Sequence, residues 1–324
     1  MSLSVIIPTW RRPEVAARTV VKVLAELVGG DECLVVVQGS EEERKAVRSA
    51  LAAAGCSLAE ADRPVGGSRE RKKGAAGGIA GGPRLRVLDQ ERPGRCAARN
   101  RALRAARGHW VALLDDDTLP RPGWRAALLA PLEAGEAEVT AGRLREDPDR
   151  TTNSPGTIGG TLTWTGHTRR NYGTDRAGPT GLAPSGNMAL ARGLALQAGG
   201  FDEGFGGAEI YEDVEFSLRL QRRGARLVYV PQAEVDHLAV RTGPWWAVDA
   251  AREVDRARHM SLIFHRHRPL LWPLMAAAYL AAALLKTFRG RLPVAALPRI
   301  AAGLLEGLRE SPPPGPLSEG EEER

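Results

Sequence analysis

The chain has 324 residues, 43% of them hydrophobic, which is enough to bury the core of one large domain with an appendage. Its formal net charge of +6 suits anionic partners such as nucleotides, phosphate groups or an anionic membrane, without choosing among them. Three widely spaced cysteines, Cys33, Cys56 and Cys96, argue against a disulfide framework and a cysteine metal site, so we expect a cytosolic protein. The N-terminus has no basic region and no long apolar run, so we expect no signal peptide.

The first half of the chain alternates between apolar runs and amphipathic segments. LSVIIPT and CLVVV are typical of buried strands, and PEVAARTVVKVLAEL and EEERKAVRSALAAAG are typical of helices. This order and spacing predict parallel βαβ units. Residues 62–84 are rich in Gly and basic residues, but they follow no strand and contain no Gly-Lys-Ser/Thr. A flexible loop is therefore favoured over a phosphate-binding loop.

Three adjacent carboxylates follow the fourth predicted strand. RLRVLD is the third strand, GRCAARNRALRAARG an arginine-rich helix, and HWVALL the strand that ends at Asp115, Asp116 and Asp117. One aspartate would suffice to cap a following helix. Three of them at the end of an apolar strand, where doubly wound sheets bind ligands, favour a divalent cation such as Mg²⁺ or Mn²⁺.

A second acidic cluster lies further along the chain. Residues 121–140 predict a helix and a short strand, and the polar stretch 145–180 is typical of a functional lid. GNMALARGLALQAGGFDEGFGG predicts a strand, a short helix and a Gly-rich turn, and YEDVEFSLRLQRRG then predicts a helix with Glu212, Asp213 and Glu215 in its first turn. Helix-dipole compensation is a sufficient reason for these acids taken alone. His237 follows the next strand, RLVYVP with AEVD, so we expect it at the same sheet edge as the aspartates.

The motifs, taken in order, resemble those of family 2 glycosyltransferases. The matching pieces cover residues 3–240 and are SVIIPTWRRPE, GRCAARNRAL, HWVALLDDDTLPRPGW, GNMALARGLALQAGGFDEGF, EDVEFSLRLQRRGARLVYVP and EVDHL. The resemblance implies an α/β GT-A fold, in which helices flank a Rossmann-like, mostly parallel sheet. We accordingly expect a GT-A domain over residues 1–240, a C-terminal helical region over 241–310 and a disordered acidic tail over 311–324.

The resemblance also implies residue roles. Asp213 would be the catalytic base, with Glu212 beside it in the catalytic pair. Metal ligands for Mg²⁺ or Mn²⁺ would be Asp117, Asp115 and His237. The nucleotide sugar would be bound by Pro8, Thr9, Arg12, Gln38, Arg99, Asn100, Asp115, Asp116 and Asn187, with Met188 also near the sugar. Of the three aspartates, Asp116 has the weakest claim to a metal or nucleotide contact.

The implied activity is metal-dependent, inverting transfer of a hexose from a nucleoside-diphosphate sugar to an acceptor hydroxyl. The acceptor would be a saccharide, a lipid-linked molecule or a small molecule, which suits cell-envelope polysaccharide or glycolipid synthesis. Val37 and Gln38 stand where the family usually has an acidic residue that contacts a uracil base. The Gln38 amide can hydrogen-bond a base edge, so UDP-, dTDP- and GDP-sugars all stay open. The sequence does not decide whether the protein forms a homo-oligomer.

Two other functions are suggested by parts of the sequence. LLDDDTL resembles the haloacid dehalogenase phosphatase signature, but Thr118 follows Asp117 one residue too early and three βα elements precede its strand. A non-catalytic module for sugar nucleotides or nucleic acid would use the Arg-rich helix and the RERKK loop. Neither segment has interleaved aromatic residues for base stacking, so we expect no nucleic-acid partner.

The C-terminal region combines basic and apolar segments. A basic helix ending in HRHRP leads into residues 269–285, seventeen residues without a charge. This run is short for a membrane span and Pro273 is expected to interrupt it. Trp272 and Tyr279 suit a membrane interface. Docking on the inner face of the cell membrane is therefore favoured over a span and over a buried core helix.

Overall fold

The strands build one large sheet and one hairpin. The computed structural model describes residues 1–56, 82–146, 154–206, 209–238, 250–309 and 312–318. Within these ranges the strands are β1 (Leu3–Thr9), β2 (Glu32–Gln38), β3 (Arg84–Gln90), β4 (Trp110–Leu114), β5 (Thr118–Pro120), β6 (Val139–Arg145), β7 (Gly159–Leu162), β8 (Thr168–Asn171), β9 (Gly178–Pro179), β10 (Asn187–Ala191) and β11 (Leu227–His237). The large sheet has the order β3-β2-β1-β4-β10-β6-β11-β5, with β9 also paired to β11, and β7 and β8 form the hairpin.

The helices cover both faces of the large sheet. They are α1 (Pro13–Glu26), α2 (Glu41–Ala53), α3 (Arg95–Ala105), α4 (Trp124–Glu133), α5 (Arg192–Gln197), α6 (Glu212–Arg222), α7 (Ala250–His267), α8 (Trp272–Phe288) and α9 (Ala296–Glu306). Alternate residues of one strand enter two different cores. Val5 and Ile7 of β1 pack in the core that includes α1 and α4, and Ile6 packs in the core that includes α3 and α6. A strand covered on both faces must be apolar throughout, which explains the continuous run in β1.

The strand directions bring the carboxyl ends of several strands to a single edge of the sheet. β1 is parallel to β2 and β4, β2 is parallel to β3, and β6 is parallel to β11. β10 is antiparallel to both β4 and β6 and joins the two parallel groups. The carboxyl ends of β1, β2 and β4 therefore face the same side, where the chain continues into Asp115. The predicted α/β class with a mostly parallel sheet and flanking helices is confirmed.

Two predicted segments differ in detail. Residues 145–180, expected as an aperiodic lid, contain the β7–β8 hairpin and β9, whose strands are too short to give a period. RLVYVP and AEVDH form the single strand β11, with a bulge between Val230 and Glu234. Most of the predicted loop 62–84 lies outside the described residues, and its last residue, Arg84, begins β3.

The C-terminal helices share a core with the sheet. Ala257 and Phe264 of α7, Met275 of α8 and Ile300 of α9 are buried in the cluster that also holds Ile6 of β1. Pro273 lies in the first turn of α8, where a missing N–H costs nothing, so the expected interruption of the helix is wrong.

Part of the tail is also ordered. The Leu317 N–H donates to the Leu196 carbonyl over 2.9 Å, and the Leu317 side chain packs against the core. Residues 312–318 thus lie against α5, because an apolar side chain within the Pro-rich run finds a partner there. The expectation of disorder does not hold for these seven residues, and the remaining predicted tail lies outside the described ranges.

Candidate active site

A cavity of about 340 Å³ opens at the sheet edge where β4 and β11 end. Asp115, after β4, and His237, at the end of β11, line one part of it, and Glu212 and Asp213 line another. The turn after β4 is closed by the Thr118 hydroxyl, which donates to the Asp115 carbonyl over 2.8 Å. Gly186 approaches this turn so closely that a Cβ there would lie 2.9 Å from Asp115 Oδ2. Four of the predicted site residues therefore meet around one cavity.

The three aspartates do not cap the following helix. α4 begins at Trp124 with Gly123 at its cap, and no side chain caps it. Asp116 instead ties the turn after β4 to the start of α1. It accepts from the Thr9 hydroxyl over 2.8 Å and from Arg12 over 3.0 Å, and its backbone carbonyl accepts from Thr19. Its buried position raises its pKa to about 6 against the opposing effect of Arg12. The Asp116 carboxylate is thus bonded within the protein, by Thr9 and Arg12.

Asp117 lies beside His237. Its Oδ1 is 3.5 Å from His237 Nε2, and its Oδ2 accepts from Arg12 over 3.1 Å. Glu146 Oε1 lies 2.9 Å from the other imidazole nitrogen, Nδ1. Burial lowers the pKa of His237, but the hydrogen bonds to Asp117 and Glu146 outweigh it and raise the pKa to about 10. Antiparallel pairing of His237 with Thr118 fixes this arrangement.

The donor set fits a divalent cation that is completed by a substrate. Within the described residues, no three His, Cys, Asp or Glu side chains already form a metal cage. Mg²⁺ sites of nucleotide enzymes commonly use one or two carboxylates together with substrate phosphates. Asp117 and His237 offer an oxygen and a nitrogen 3.5 Å apart. His237 and Asp115 line the cavity, whereas Asp117 is buried and is not among the lining residues. A cation there would be bound by the neutral imidazole and by the Asp117 carboxylate, so metal binding would displace any proton held on Nε2.

A buried arginine connects the aspartates to the acidic helix start. Arg99 of α3 has a fully buried side chain and donates to Asp115 over 3.0 Å and to Glu212 over 2.9 Å. Arg95 lies 3.8 Å from Glu212 on the same side. Burial raises the pKa of Glu212, but the charges of Arg95 and Arg99 outweigh it, so the pKa is lowered. Glu212 is therefore held as a carboxylate.

Asp213 has the opposite electrostatic environment. Burial, and then the charge of Glu212, raises its pKa to about 6. Its carboxylate accepts a hydrogen bond from the adjacent Val214 N–H over 2.8 Å. Asp213 lines the cavity, whereas the Glu212 carboxylate is engaged by two arginines. Of the two acids, Asp213 is the one suited to accept a proton near neutral pH.

Strained backbone positions this helix start. Glu209 and Tyr211 have positive φ angles of 44° and 71°, a conformation that non-glycine residues rarely adopt. The Glu209 carboxylate accepts from the backbone N–H groups of Arg95 over 2.6 Å and Cys96 over 3.1 Å. It thereby caps α3 and joins that helix to α6, the two elements that carry Arg99 and Asp213. This contact could not be predicted from the sequence, because the two segments are far apart in the chain.

The other predicted binding residues are engaged within the protein. Gln38 is buried and its Oε1 accepts from the Gly94 N–H over 2.7 Å. Asn100 bonds both the N–H and the carbonyl of Phe201. Asn187 accepts from Trp124 Nε1 and donates to the carbonyls of Arg143 and Ala233. Pro8 and Met188 are buried in β1 and β10. None of these five residues lines this cavity, and their ligand contacts stay predictions.

Several cavity residues were not predicted. They are Arg95, Glu146, Arg170, Glu209, Tyr211, Arg252 and Arg256. Arg95 opens the motif GRCAARN, so its position next to Arg99 on one helix was a usable signal. Arg170 comes from the β7–β8 hairpin and the last two arginines come from α7, which lies beyond the last recognised motif. Their approach depends on tertiary packing.

Two protein-family models match regions that together cover most of the chain. The model of glycosyl transferase family 2 matches residues 4–195, and that of glycosyl transferase family group 2 matches residues 110–305. A search of curated protein sequences found no match. The first match spans more than half of the chain and contains β1, the aspartates and β10.

Solved structures share the fold at low sequence identity. S. aureus TarS 1–349 with UDP-GlcNAc has a TM-score of 0.60 at 13% identity and covers 95% of this chain and 82% of its own. The mannosyltransferase PcManGT from Pyrobaculum calidifontis, with GDP-Man and Mn²⁺, has a TM-score of 0.55 at 18% identity over 94% and 85%. GalNAc-T7 with UDP, GalNAc and Mn²⁺ has a TM-score of 0.52 at 17% identity over 82% of this chain, which spans only 48% of that chain. The fold is therefore GT-A, and the chain belongs to glycosyl transferase family 2.

Proposed function

We propose that this protein transfers a sugar from a nucleoside-diphosphate sugar to an acceptor hydroxyl, with inversion at the anomeric carbon and Asp213 as general base. The observation that carries the proposal is the cavity that holds Asp213 and His237, with Asp117 beside the imidazole. Solved structures of the same fold contain UDP-GlcNAc, or GDP-Man with Mn²⁺. These ligands support a donor of the same class here.

The acidic pair divides the work between its members. Asp213 takes the proton of the acceptor hydroxyl as the oxygen attacks the anomeric carbon. Glu212 stays ionised and holds Arg99, which in turn holds Asp115 at the cavity wall. A single displacement, with the acceptor on the face opposite the diphosphate, inverts the anomeric configuration. The pair thus supplies one base and one positioning carboxylate.

The part of the cavity that His237 and Asp115 line suits the diphosphate. Asp117 and His237, with Asp115 nearby, would hold Mg²⁺ or Mn²⁺. When bound, such a cation neutralises the charge that develops on the departing diphosphate. The Arg95 side chain lines the same cavity and adds a fixed positive charge. Metal dependence is part of the proposal for this reason.

The raised pKa of Asp213 predicts how activity depends on pH. The base works only when it is deprotonated, and its pKa is raised to about 6 by burial and by the charge of Glu212. Activity should therefore be full above this pH, and kcat should fall about tenfold per pH unit in more acidic solution. A kcat profile at saturating donor and metal tests this. A profile flat to pH 4.5, about 1.5 units below that pKa, would contradict the assigned base.

A donor screen tests the proposal as a whole. Thermal shift and release of free nucleoside diphosphate are measured with UDP-, GDP- and dTDP-sugars, each with Mn²⁺ and with EDTA. At least one donor should raise Tm and be hydrolysed slowly, both only with Mn²⁺. The same screen identifies the nucleotide base of the donor, which the residues Val37 and Gln38 leave open. If Mn²⁺-dependent binding occurs without any release, a non-catalytic module for sugar nucleotides is the better account, and if no donor binds, the proposal fails.

A further inference from the structure

Helix α8 presents an apolar face to solvent. This face, here called the α8 face, consists of Leu270 just before the helix and Leu274, Leu284, Leu285 and Phe288 within it. Leu270 is 92% exposed and Phe288 is 90% exposed. The smaller residues between them, Ala277 and Ala281, are exposed as well, and the spacing of three or four residues puts all of these on one side of the helix. Large apolar side chains grouped in this way mark an interaction surface.

The opposite side of α8 is attached to the protein. Met275, Ala276 and Ala283 are buried. Trp272 Nε1 donates to the Ser261 hydroxyl over 2.7 Å, and Lys286 Nζ bonds Glu253 over 2.6 Å, so both ends are tied to α7. Within the described residues, Pro269–Phe288 is the stretch long and apolar enough to cross a membrane, and 17% of it is buried. The helix therefore packs one side on the core and leaves the other exposed, and the ties to α7 favour a helix lying flat over one that spans.

The exposed charges that follow the α8 face in the chain are positive. Lys286, within α8, is paired with Glu253 of α7, so its charge is compensated. Arg289 and Arg291 follow Phe288 directly and are exposed. An apolar stripe with a basic border is complementary to a bilayer that contains anionic lipids, since the leucines enter the headgroup boundary while the arginines meet lipid phosphates. A second protein copy would bring the same two arginines to the contact, so the basic border favours an anionic bilayer over a second copy.

The buried side of α8 contacts elements that line the cavity. A Cβ at Gly166, in the turn of the β7–β8 hairpin, would lie 3.1 Å from Met275 Cγ of α8. Thr168 and Arg170 of the same hairpin line the cavity, as do Arg252 and Arg256 of α7. The elements that contact α8 therefore also form the cavity wall on the side of Asp213. A bilayer on the exposed side of α8 is thus separated from that wall by the helix and the elements packed on its buried side.

We propose that the α8 face docks on the surface of an anionic lipid bilayer and thereby presents the cavity to an acceptor anchored in that bilayer. Docking would place the protein on the inner face of the cell membrane, as the sequence predicts. The statement about the acceptor rests on the proposed glycosyltransferase function. Docking itself does not, because it involves neither donor nor metal.

Vesicle flotation of the full chain tests the proposal. Vesicles of phosphatidylcholine are used with and without phosphatidylglycerol, and the double variant Leu284→Glu/Phe288→Glu is compared with wild type. The control is Val21→Glu, at an exposed apolar position of α1. Wild type and control should float with phosphatidylglycerol vesicles, and the double variant should bind at least about tenfold more weakly, because two large apolar side chains are lost from the bilayer contact. Nucleoside-diphosphate release without vesicles should be equal in all three proteins.

Four outcomes would overturn docking. Wild type could fail to float, or the double variant could float equally well. The protein could resist extraction by alkaline carbonate, which would indicate a span. It could instead sediment as a dimer that the double variant dissociates, which would make a second copy the occupant. Failure of flotation with intact nucleoside-diphosphate release would reject docking alone, and failure of release with intact flotation would reject the proposed function alone.

Discussion

Replacing Asp213 by asparagine should lower kcat for sugar transfer by about 10²–10⁴-fold, the usual contribution of a general base. The amide is nearly isosteric with the carboxylate but cannot take the proton from the acceptor hydroxyl at neutral pH. Asp213 lines the cavity, and its carboxylate accepts a hydrogen bond from the neighbouring Val214 N–H, so the substitution should leave the fold and the donor Kd near wild type. Initial rates at saturating donor, together with donor binding by calorimetry, measure the two effects separately.

The matched control is Asp175→Asn. The Asp175 side chain is 87% exposed and contacts Arg143 away from the acidic pair, so its rate should stay close to wild type. Asp213→Asn should also lose the acidic limb of the pH profile. Normal transfer by Asp213→Asn would show that another group is the base. A large rise in donor Kd would show that the carboxylate serves binding instead.

Replacing Arg99 by methionine should destabilise the protein by about 3–5 kcal/mol, the usual cost of breaking a buried ion pair by removing one partner. Arg99 is fully buried and bonds Asp115 and Glu212. Without it, Glu212 stays buried, and Arg95, 3.8 Å away, still provides a positive charge. Urea unfolding at pH 7 measures the loss. The control is Arg101→Met on the exposed side of the same helix, which should change the free energy of unfolding little.

The effect of Arg99→Met should also shrink in acid. The folded-state pKa of Glu212 is lowered, so its ionisation stabilises the native protein above its usual pKa, and this contribution is lost as the pH falls through the lowered value. Removing Arg99 removes the contribution at neutral pH, and protonation of Glu212 in the variant then recovers stability. An equal loss for Arg99→Met and Arg101→Met, or a loss that is independent of pH, would contradict the network.

Sequence reasoning located the elements but could not divide the aspartates fully between roles. The apolar run before Asp115 predicted a strand end, and the order of motifs predicted the family. That Asp116 belongs to Thr9 and Arg12 follows from the turn geometry after β4, which the sequence did not display. Asp117 and His237 could be paired in advance because both follow strands at one sheet edge and because the family resemblance assigns both to the metal.

The amides show a second limit. Asn100 and Asn187 were assigned near the ligand by resemblance, yet each amide bonds groups within the protein, Asn100 to the backbone of Phe201 and Asn187 to Trp124. A polar side chain next to an active-site motif can hold the motif in place without touching substrate, and the sequence does not separate these roles. Glu209 was missed for the related reason that its positive φ angle is a property of the fold.

The most direct test is the position of Mn²⁺ in a crystal of the protein grown with Mn²⁺ and the nucleoside diphosphate selected by the donor screen. Anomalous scattering at the manganese edge locates the ion without reference to the fold family. We predict one peak coordinated by an Asp117 carboxylate oxygen and by diphosphate oxygens, with Asp213 on the far side of the cavity. A bound nucleotide whose manganese peak lies away from Asp117, or a nucleotide bound outside this cavity, would contradict the account.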